Sequence, residues 1–311
     1  MGTRTDTQHR HAPSPHQGTT RGRALSQTSG SLLAISDLHV GHEENRRIVD
    51  ALRPEGENDW LLVAGDVGEM SEDIEWALRT LASNFAKVVW APGNHELWTP
   101  PKDPLRLRGV ERYEHLVELC RGLGIVTPED PYPVWHGPEG PVTVAPLFLL
   151  YDYTFRTHAP LSREEALAAA HERGVVCTDE YLLHPDPYES RQAWCEARVR
   201  STEERLGALD PAMPLVLVNH YPLVRAPMDV LRYPDFALWC GTESTADWHR
   251  RFPVAAMVYG HLHIPRSTVY DGVPFEEVSV GYPREWQRPG HPRTVPPRRI
   301  LPATPAGQGE R

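Results

Sequence analysis

The amino-acid sequence predicts an α/β fold in which helices cover a sheet and a second sheet follows later in the chain. Three observations carry this prediction. Apolar runs alternate with segments of helical spacing between residues 31 and 91, a pattern that implies crossover connections. Five apolar runs each end in carboxylate, amide or imidazole side chains, as expected where open α/β sheets place their sites. Asp271-Gly272 between two strand-like runs predicts a hairpin, and thus a second, antiparallel sheet.

The opening unit contains three predicted strands and two predicted helices. Its apolar residues recur at helical spacing in the helices, for example at Ile74, Ala77 and Leu81, and form short continuous runs in the strands. In chain order the unit comprises a strand over Leu32 to Ser36, a helix over Glu43 to Leu52, a strand over Trp60 to Ala64, a helix over Ser71 to Phe85 and a strand over Lys87 to Ala91.

The interval from residue 98 to residue 214 lacks a motif of the opening type, and we interpret it as an insertion or cap that supplies substrate choice. Ser162 with Glu165 forms a capping box before an Ala-rich helix that ends near Glu172. The other predicted elements are a helix over Tyr113 to Leu123, a strand over Val142 to Leu150 interrupted by Pro146, and a charged helix over Pro187 to Leu209.

The last third returns to strands. Leu215 to Val218 and Val254 to Tyr259 are strand-like, and the hairpin pairs Ser267 to Tyr270 with Val273 to Val280. We therefore expect one domain over residues 31–285 that contains the 98–214 insertion. Residues 1–30, which have little to bury, are predicted to be a disordered tail, and residues 286–311 a second tail rich in Pro and Arg.

The composition is that of an ordinary globular protein. Of 311 residues 40% are hydrophobic, and the formal net charge of -10 argues against a general binder of nucleic acid or anionic membrane, although it does not exclude a local basic groove. No apolar run reaches the roughly 18 residues of a spanning helix, and no secretory signal is recognisable, so we expect a cytoplasmic protein. The four cysteines lie far apart and fit reduced, buried thiols without a catalytic role.

Seven side chains that follow the apolar runs form a candidate metal site. Imidazoles mixed with carboxylate and amide oxygens suit Zn, Mn or Fe better than Ca or Mg. Seven ligands are too many for one tetrahedral ion, whereas two ions that share a carboxylate would use them all. Histidines satisfied in the core are the usual alternative for any single residue, but not for the whole set, which comprises Asp37, His39, Asp66, Asn94, His220, His261 and His263.

In this order, Asp37-x-His39, Gly65-Asp66, Gly93-Asn94-His95-Glu96, His220 and Gly260-His261-x-His263 resemble the calcineurin-like metallophosphoesterase superfamily. The resemblance implies a four-layer fold of two facing mixed β-sheets flanked by helices. It also implies that one ion is held by Asp37, His39, Asp66 and His263 and the other by Asp66, Asn94, His220 and His261. A hydroxide that bridges two such ions would attack the phosphorus in line with the departing oxygen.

His95 lies next to a ligand but is not assigned to an ion, which suits a residue that stabilises the transition state or protonates the leaving group. We expect Glu96 to orient His95 or a neighbouring ligand. Purple acid phosphatases of the superfamily have a tyrosine shortly after the bridging Asp, whereas here Asp66 is followed by Val67, Gly68 and Glu69. We therefore expect no tyrosinate–iron colour. The Glu69 carboxylate could support a ligand or be simply exposed.

The substrate groups must come from loops. Tyr221 and Arg225, which directly follow His220, and Arg156 are the main candidates for substrate binding, with Arg284, Tyr153 and Trp98 as further ones. The sequence favours hydrolysis of a phosphomonoester or phosphodiester of a small molecule. A nuclease or protein phosphatase on the same scaffold, or a metal-binding scaffold without turnover, are the alternatives. The oligomeric state is left open.

Overall fold

Two β-sheets face each other across an apolar layer in the computed structural model, which describes residues 1–3, 30–156, 161–287 and 297–303. The strands in these ranges are β1 (Leu32–Ile35), β2 (Trp60–Val63), β3 (Lys87–Trp90), β4 (Val134–Gly137), β5 (Gly140–Pro146), β6 (Leu215–Val218), β7 (Val254–Tyr259), β8 (Arg266–Tyr270), β9 (Val273–Glu277) and β10 (Arg298–Leu301).

Most of the helices lie between these strands or beside them. They are α1 (Glu43–Ala51), α2 (Ser71–Asn84), α3 (Asn94–Leu97), α4 (Gly109–Gly122), α5 (Arg163–Glu172), α6 (Asp179–Leu182), α7 (Arg191–Gly207), α8 (Trp248–Arg251) and α9 (Pro283–Trp286). Three short 3₁₀ segments, Ala226–Val230, Pro234–Trp239 and Glu243–Thr245, fill the connection between β6 and α8 in the described ranges. Ser162 caps α5 through the predicted capping box.

The first sheet has the order β10-β1-β2-β3. β1, β2 and β3 are parallel, as the alternation of strands and helices predicts, so their carboxyl ends lie at one edge. Leu33 and Ile35 on one face of β1 pack with residues of α1 and α2, whereas Leu32 and Ala34 on the other face point towards the second sheet. One face of the first sheet is therefore covered by helices and the other by the second sheet.

The second sheet has the order β4-β5-β6-β7-β9-β8. β5, β6, β7 and β9 are parallel, and only the outer pairs β4–β5 and β8–β9 are antiparallel. The predicted hairpin around Asp271-Gly272 is confirmed, but the prediction of an antiparallel sheet is wrong, because the connections through α7 and α8 bring the next strand back in the same direction. Two facing mixed sheets flanked by helices, the predicted fold, are confirmed.

The interval from residue 98 to residue 214 is not a separate cap. β4 and β5 belong to the second sheet, and Trp194 and Cys195 of α7 are buried in the same core cluster as Leu217 of β6. Because strands are recognised by their apolar residues and not by a polar motif at their end, the lack of a motif in this interval did not indicate the lack of sheet.

The predicted C-terminal tail is also corrected, since β10 lies within it. β10 pairs antiparallel with β1, buries Ile300 in the layer between the sheets, and places Arg298 against Glu276. Four residues with two arginines are too short and too polar for a recognisable strand signal, but pairing satisfies the otherwise open edge of β1. Residues 286, 287 and 297–303 of that tail are described, and its other residues and nearly all of the predicted N-terminal tail lie outside the described residues.

The four cysteines are free and buried, as predicted. Across the ranges given above, none of the helices has the length and apolar character needed to cross a membrane.

Candidate metal centre and active site

Both sheets direct the ends of their parallel strands to one place. Asp37 follows β1, Asp66 follows β2 and Asn94 follows β3, while His220 and His261 follow β6 and β7 of the second sheet. The structure brings all seven predicted ligands together there, in overlapping groups of acidic and imidazole side chains with the amide of Asn94 beside them.

The first group consists of Asp37, His39 and His263. His263 Nε2 lies 3.1 Å from Asp37 Oδ1 and 3.2 Å from His39 Nε2. Two nitrogen ligands about 2.1 Å from one tetrahedral ion stand about 3.4 Å apart, so these spacings fit ligands that surround a single cation.

The second group consists of Asn94, His220 and His261. His220 Nε2 lies 3.1 Å from Asn94 Oδ1 and 3.2 Å from His261 Nδ1. His220 donates its Nδ1 proton to the carbonyl oxygen of Ala64 at 2.8 Å, which leaves the lone pair of Nε2 directed at the other two side chains. Burial lowers the pKa of His261 to about 3, so its ring is neutral, as a ligand must be.

Asp66 lies between the two groups. Its Oδ2 is 3.3 Å from His220 Nε2 in the second group and 4.0 Å from His39 Nε2 in the first. Asp37 and Asp66 are both fully buried, and among the described ion pairs their partners are histidines and never Lys or Arg. Two buried carboxylates whose described ion-pair partners are all imidazoles fit a site for cations, and the position of Asp66 between the groups suits a shared ligand.

Several candidate ligands have strained backbones. Asp37, His39, Asp66, His261 and His263 all have positive φ, between 40° and 70°. Asp, Asn and His tolerate this left-handed region better than most residues, but it still costs free energy and is concentrated at functional sites. The turns after β1, β2 and β7 are therefore shaped to direct side chains and not to minimise backbone strain.

Glu96 holds together the loops that carry Asp66 and Asn94. Its buried carboxylate accepts hydrogen bonds from the backbone N–H groups of Asp66 at 2.9 Å, Val67 at 3.0 Å and Gly93 at 3.0 Å. The expectation that Glu96 orients a neighbouring ligand agrees with this contact to the Asp66 backbone, but Glu96 is not the partner of the His95 ring.

His95 is oriented by Glu69 and Trp98. Its Nδ1 lies 2.8 Å from Glu69 Oε1, and its ring stacks on the Trp98 indole with a centroid distance of 3.7 Å. Its Nε2 lies 3.8 Å from Asp66 Oδ2, within reach of the space between the two groups of ligands. Glu69 thus supports His95, and its second contact, 3.4 Å to His39 Nδ1, links it to a ligand as well.

A cleft of about 420 Å³ opens over the metal centre. Its floor contains Asp66, Asn94, His95, His261 and His263, and its walls include Trp98, Val176, Cys177, Thr178, Tyr233, Phe236, Leu262, Tyr282, Arg284 and Glu285. Val176 and Tyr233 are 50% and 56% exposed, which is high for apolar and aromatic side chains beside a polar centre.

The predicted substrate residues are divided by the structure. Trp98 and Arg284 line the cleft, whereas Tyr221 is buried beneath it against His220 and His261. Arg225 is part-exposed near Asp229, outside the described lining of the cleft.

Two further candidates, Arg156 and Tyr153, lie outside the described lining of the cleft. Arg156 donates from Nε to the carbonyl of Tyr153 and from Nη1 to that of Leu161, and neither Arg156 nor Tyr153 is among the described residues that line the cleft. A loop rich in aromatic and cationic side chains suggested substrate binding, but its arginine satisfies backbone carbonyls.

Sequence reasoning missed Asp179 of α6, whose carboxylate contacts both Asn94 and Trp98. It follows no strand and belongs to no recognisable motif, so no signal in the sequence could have singled it out.

The geometry defines a class of protein: two facing sheets whose strand ends carry a cluster of Asp, His and Asn side chains that could hold metal ions. Residues 30–265 match the family described as calcineurin-like phosphoesterase, and the chain belongs to that family. It is a metal-dependent hydrolase of phosphoric esters, as the resemblance in the sequence predicted.

Two comparisons identify similar proteins more narrowly. The chain is 57% identical over 258 residues, 83% of its length and 80% of the relative's, to [Acyl-carrier-protein] phosphodiesterase PptH of Mycobacterium tuberculosis (strain ATCC 25618 / H37Rv). It also matches the crystal structure of Phosphopantetheinyl Hydrolase (PptH) from Mycobacterium tuberculosis with a TM-score of 0.86 and 54% identity, covering 88% of this chain and 97% of that one.

Proposed function

We propose that this chain hydrolyses the phosphodiester that joins a phosphopantetheinyl group to an acyl carrier protein. The observation that carries the proposal is the 57% identity, over 83% of the chain, to a protein named for that activity. Identity at this level extends well beyond the ligand motifs.

The donor set suits two ions drawn from Mn, Fe and Zn, with Asp37, His39, Asp66 and His263 around one, and Asp66, Asn94, His220 and His261 around the other. When bound, such a pair activates water near neutral pH and stabilises charge on the phosphoryl oxygens. Asp66 would hold the two ions close together, and the surrounding buried side chains would keep the site's dielectric low.

His95 is the candidate to protonate the departing oxygen. Glu69 holds its Nδ1, which leaves Nε2 directed towards Asp66 and the floor of the cleft. Trp98 prevents the ring from tilting away. A proton donor in this position would assist the loss of a serine alkoxide, a poor leaving group, from the diester.

The cleft also suits the substrate. The phosphopantetheinyl arm beyond its phosphate is a neutral chain of amide and aliphatic groups, and the lining of the cleft offers apolar surface with two hydroxyls: Val176, Thr178, Tyr233 and Phe236. Arg284 and Tyr282 lie at another side of the same cleft, where they could contact the phosphate or the carrier protein.

The proposal is tested by incubating the purified chain with holo-acyl carrier protein and Mn²⁺, Zn²⁺ or Fe²⁺. Intact-mass spectrometry should show conversion of the holo to the apo form, and chromatography should show release of phosphopantetheine. Asp66→Ala should abolish both. Hydrolysis of an aryl diester without any conversion of the carrier protein would contradict the proposed substrate while leaving the phosphoesterase chemistry intact.

The cleft wall is tested with a matched pair of exposed tyrosines. Tyr233 lines the cleft, whereas Tyr181 is 67% exposed and does not belong to its described lining. We expect Tyr233→Ala to raise KM for holo-acyl carrier protein, with little change towards an aryl diester, and Tyr181→Ala to change neither. Equal effects of the two substitutions would exclude a specific role of Tyr233.

A further inference from the structure

The Asp179 carboxylate connects the interval 98–214 to the metal centre. It is fully buried, and its Oδ1 accepts hydrogen bonds from Asn94 Nδ2 at 2.9 Å and from Trp98 Nε1 at 2.6 Å. Its Oδ2 accepts a third from the Tyr151 hydroxyl at 2.9 Å. One side chain thus contacts a candidate ligand and the ring that stacks on His95.

Asp179 is itself held rigidly. It begins the short helix α6, and Arg191 of α7 donates to the carbonyl oxygens of Asp179 at 2.6 Å and Leu183 at 3.0 Å. The same guanidinium pairs with Glu180 at 3.1 Å, and its side chain is only 15% exposed. A carboxylate fixed from both its backbone and its side chain can impose an orientation on its partners.

The contact determines which end of the Asn94 amide faces the metal centre. Asp179 Oδ1 accepts from the indole N–H of Trp98, which can only donate, so the same oxygen requires the NH₂ group of Asn94 on its side. The amide oxygen then points the other way, to within 3.1 Å of His220 Nε2 among the candidate ligands. A flipped amide would present hydrogens to the cation and could not bind it.

The second contact acts on His95. Trp98 donates its indole N–H to the same oxygen of Asp179, and its ring plane lies 29° from that of His95. Together with Glu69 at Nδ1, the fixed indole leaves the imidazole little freedom to rotate.

We propose that Asp179 is a positioning residue that orients Asn94 as a metal ligand and holds Trp98 against His95. The proposal rests on the ligand set proposed above. It gives the interval 98–214 a role inside the metal centre, in addition to any role in substrate choice.

The test uses four variants and an aryl diester, so that it does not depend on the carrier-protein substrate. Asp179→Ala should lower the content of tightly bound Mn²⁺ per chain, measured by elemental analysis after dialysis, from two towards one. It should lower kcat about 10- to 100-fold, the usual cost of losing a partner of a metal ligand. Asp179→Asn should recover most of both, because its oxygen still accepts from Asn94 and Trp98 while its NH₂ group faces the Tyr151 hydroxyl.

Asp59→Ala is the matched control for removal of a buried carboxylate. Asp59 lies just before β2, at the opposite end of the strand from Asp66, and accepts from three backbone N–H groups. The Asp59→Ala substitution should reduce thermal stability without changing the metal content or kcat of the folded protein.

The outcomes separate the hypotheses. Two ions and unchanged kcat in Asp179→Ala would overturn the inference, and so would a loss of ions in Asp59→Ala equal to that in Asp179→Ala. An Asp179→Asn variant as impaired as Asp179→Ala would show that charge, not orientation, is what matters, and would also overturn it. If Asp66→Ala keeps both ions, the ligand set itself is wrong, whatever the result at Asp179.

Discussion

Gly93 lies against Asp66, and a single added methyl group there should disturb the centre. The backbone of Gly93 has φ -95° and ψ -172°, which any residue can adopt, so Gly93→Ala introduces no backbone strain. A Cβ at this position would overlap Asp66 Oδ1, its nearest neighbour, and would stand 2.6 Å from the Asp66 nitrogen and 2.8 Å from its carboxyl carbon. The effect of the substitution is therefore a displacement of the shared carboxylate.

The size of the displacement follows from these distances. Ordinary contact begins at 3.4 Å, so the Asp66 nitrogen must move by about 0.8 Å, the difference between 3.4 and 2.6 Å, and Asp66 Oδ1, which lies nearer the added Cβ, must move further. Movement of the Asp66 backbone is resisted by its hydrogen bond to Glu96. A misplacement of about 1 Å in an active site can cost about 10²-fold in rate, so we expect kcat to fall roughly 10- to 100-fold.

The assay is hydrolysis of an aryl diester at saturating Mn²⁺, together with the metal content and the unfolding free energy in urea. Gly122→Ala is the control, because it ends α4 with no atom within 4 Å of the added Cβ. It should be neutral or stabilise by about 0.5–1 kcal/mol. If Gly93→Ala keeps two ions and activity within a factor of about two of the parent protein, the role given to Asp66 is refuted.

Three further predictions follow from the same geometry. His95→Ala should keep both ions but slow turnover by roughly 10²-fold or more, whereas Asp66→Ala should lose ions and turnover together; full activity of His95→Ala would remove its proposed role. In Glu96→Gln, an NH₂ group replaces a carboxylate oxygen that accepts from backbone N–H groups in the native protein. The unfolding free energy should therefore fall by about 2–6 kcal/mol for two such donors, measured in urea with chelator present. Chelation should lower the melting temperature, and Mn²⁺ at about 100 times its Kd should restore about 2.7 kcal/mol of unfolding free energy for each ion site. An unchanged melting temperature on chelation would argue against ions in the folded chain.

The sequence predicted the fold and the candidate ligands for one physical reason. Parallel strands bring their carboxyl ends to a common edge, so polar residues after successive apolar runs meet in space even when they are far apart in the chain. Asp37 and His263 are separated by 226 positions and are 3.1 Å apart in the structure. The order of the motifs then indicated the family before any coordinates were known.

The sequence could not predict the contacts of the supporting carboxylates, because these contacts depend on the direction of side chains within loops and short helices. The sequence does not distinguish a supporting role of Glu69 from an exposed position, whereas in the structure its carboxylate contacts His95 and His39. Glu96, adjacent to His95 in α3, was expected near the same ring, but neighbouring residues of a helix point about 100° apart, and Glu96 reaches the Asp66 backbone instead. Asp179 is brought to Asn94 by contacts of α6 with α7, which no local pattern encodes.

Five candidate ligands have a left-handed backbone, and the carboxylates of Glu96 and Glu285 lie beside the turns that contain them. Each such residue costs of order 1–3 kcal/mol, and the strain falls on the turns that close the strands of both sheets. Glu96 accepts a hydrogen bond from the backbone N–H of Asp66 in one of these strained turns, and Glu285 contacts the imidazole ring of His263 in another. Because Glu96 also accepts from Gly93, the residue before Asn94, it couples one strained turn to a ligand that is not itself strained. The folded protein thus holds the candidate ligands in place before cations bind, and the free energy of folding already includes the backbone strain at these residues.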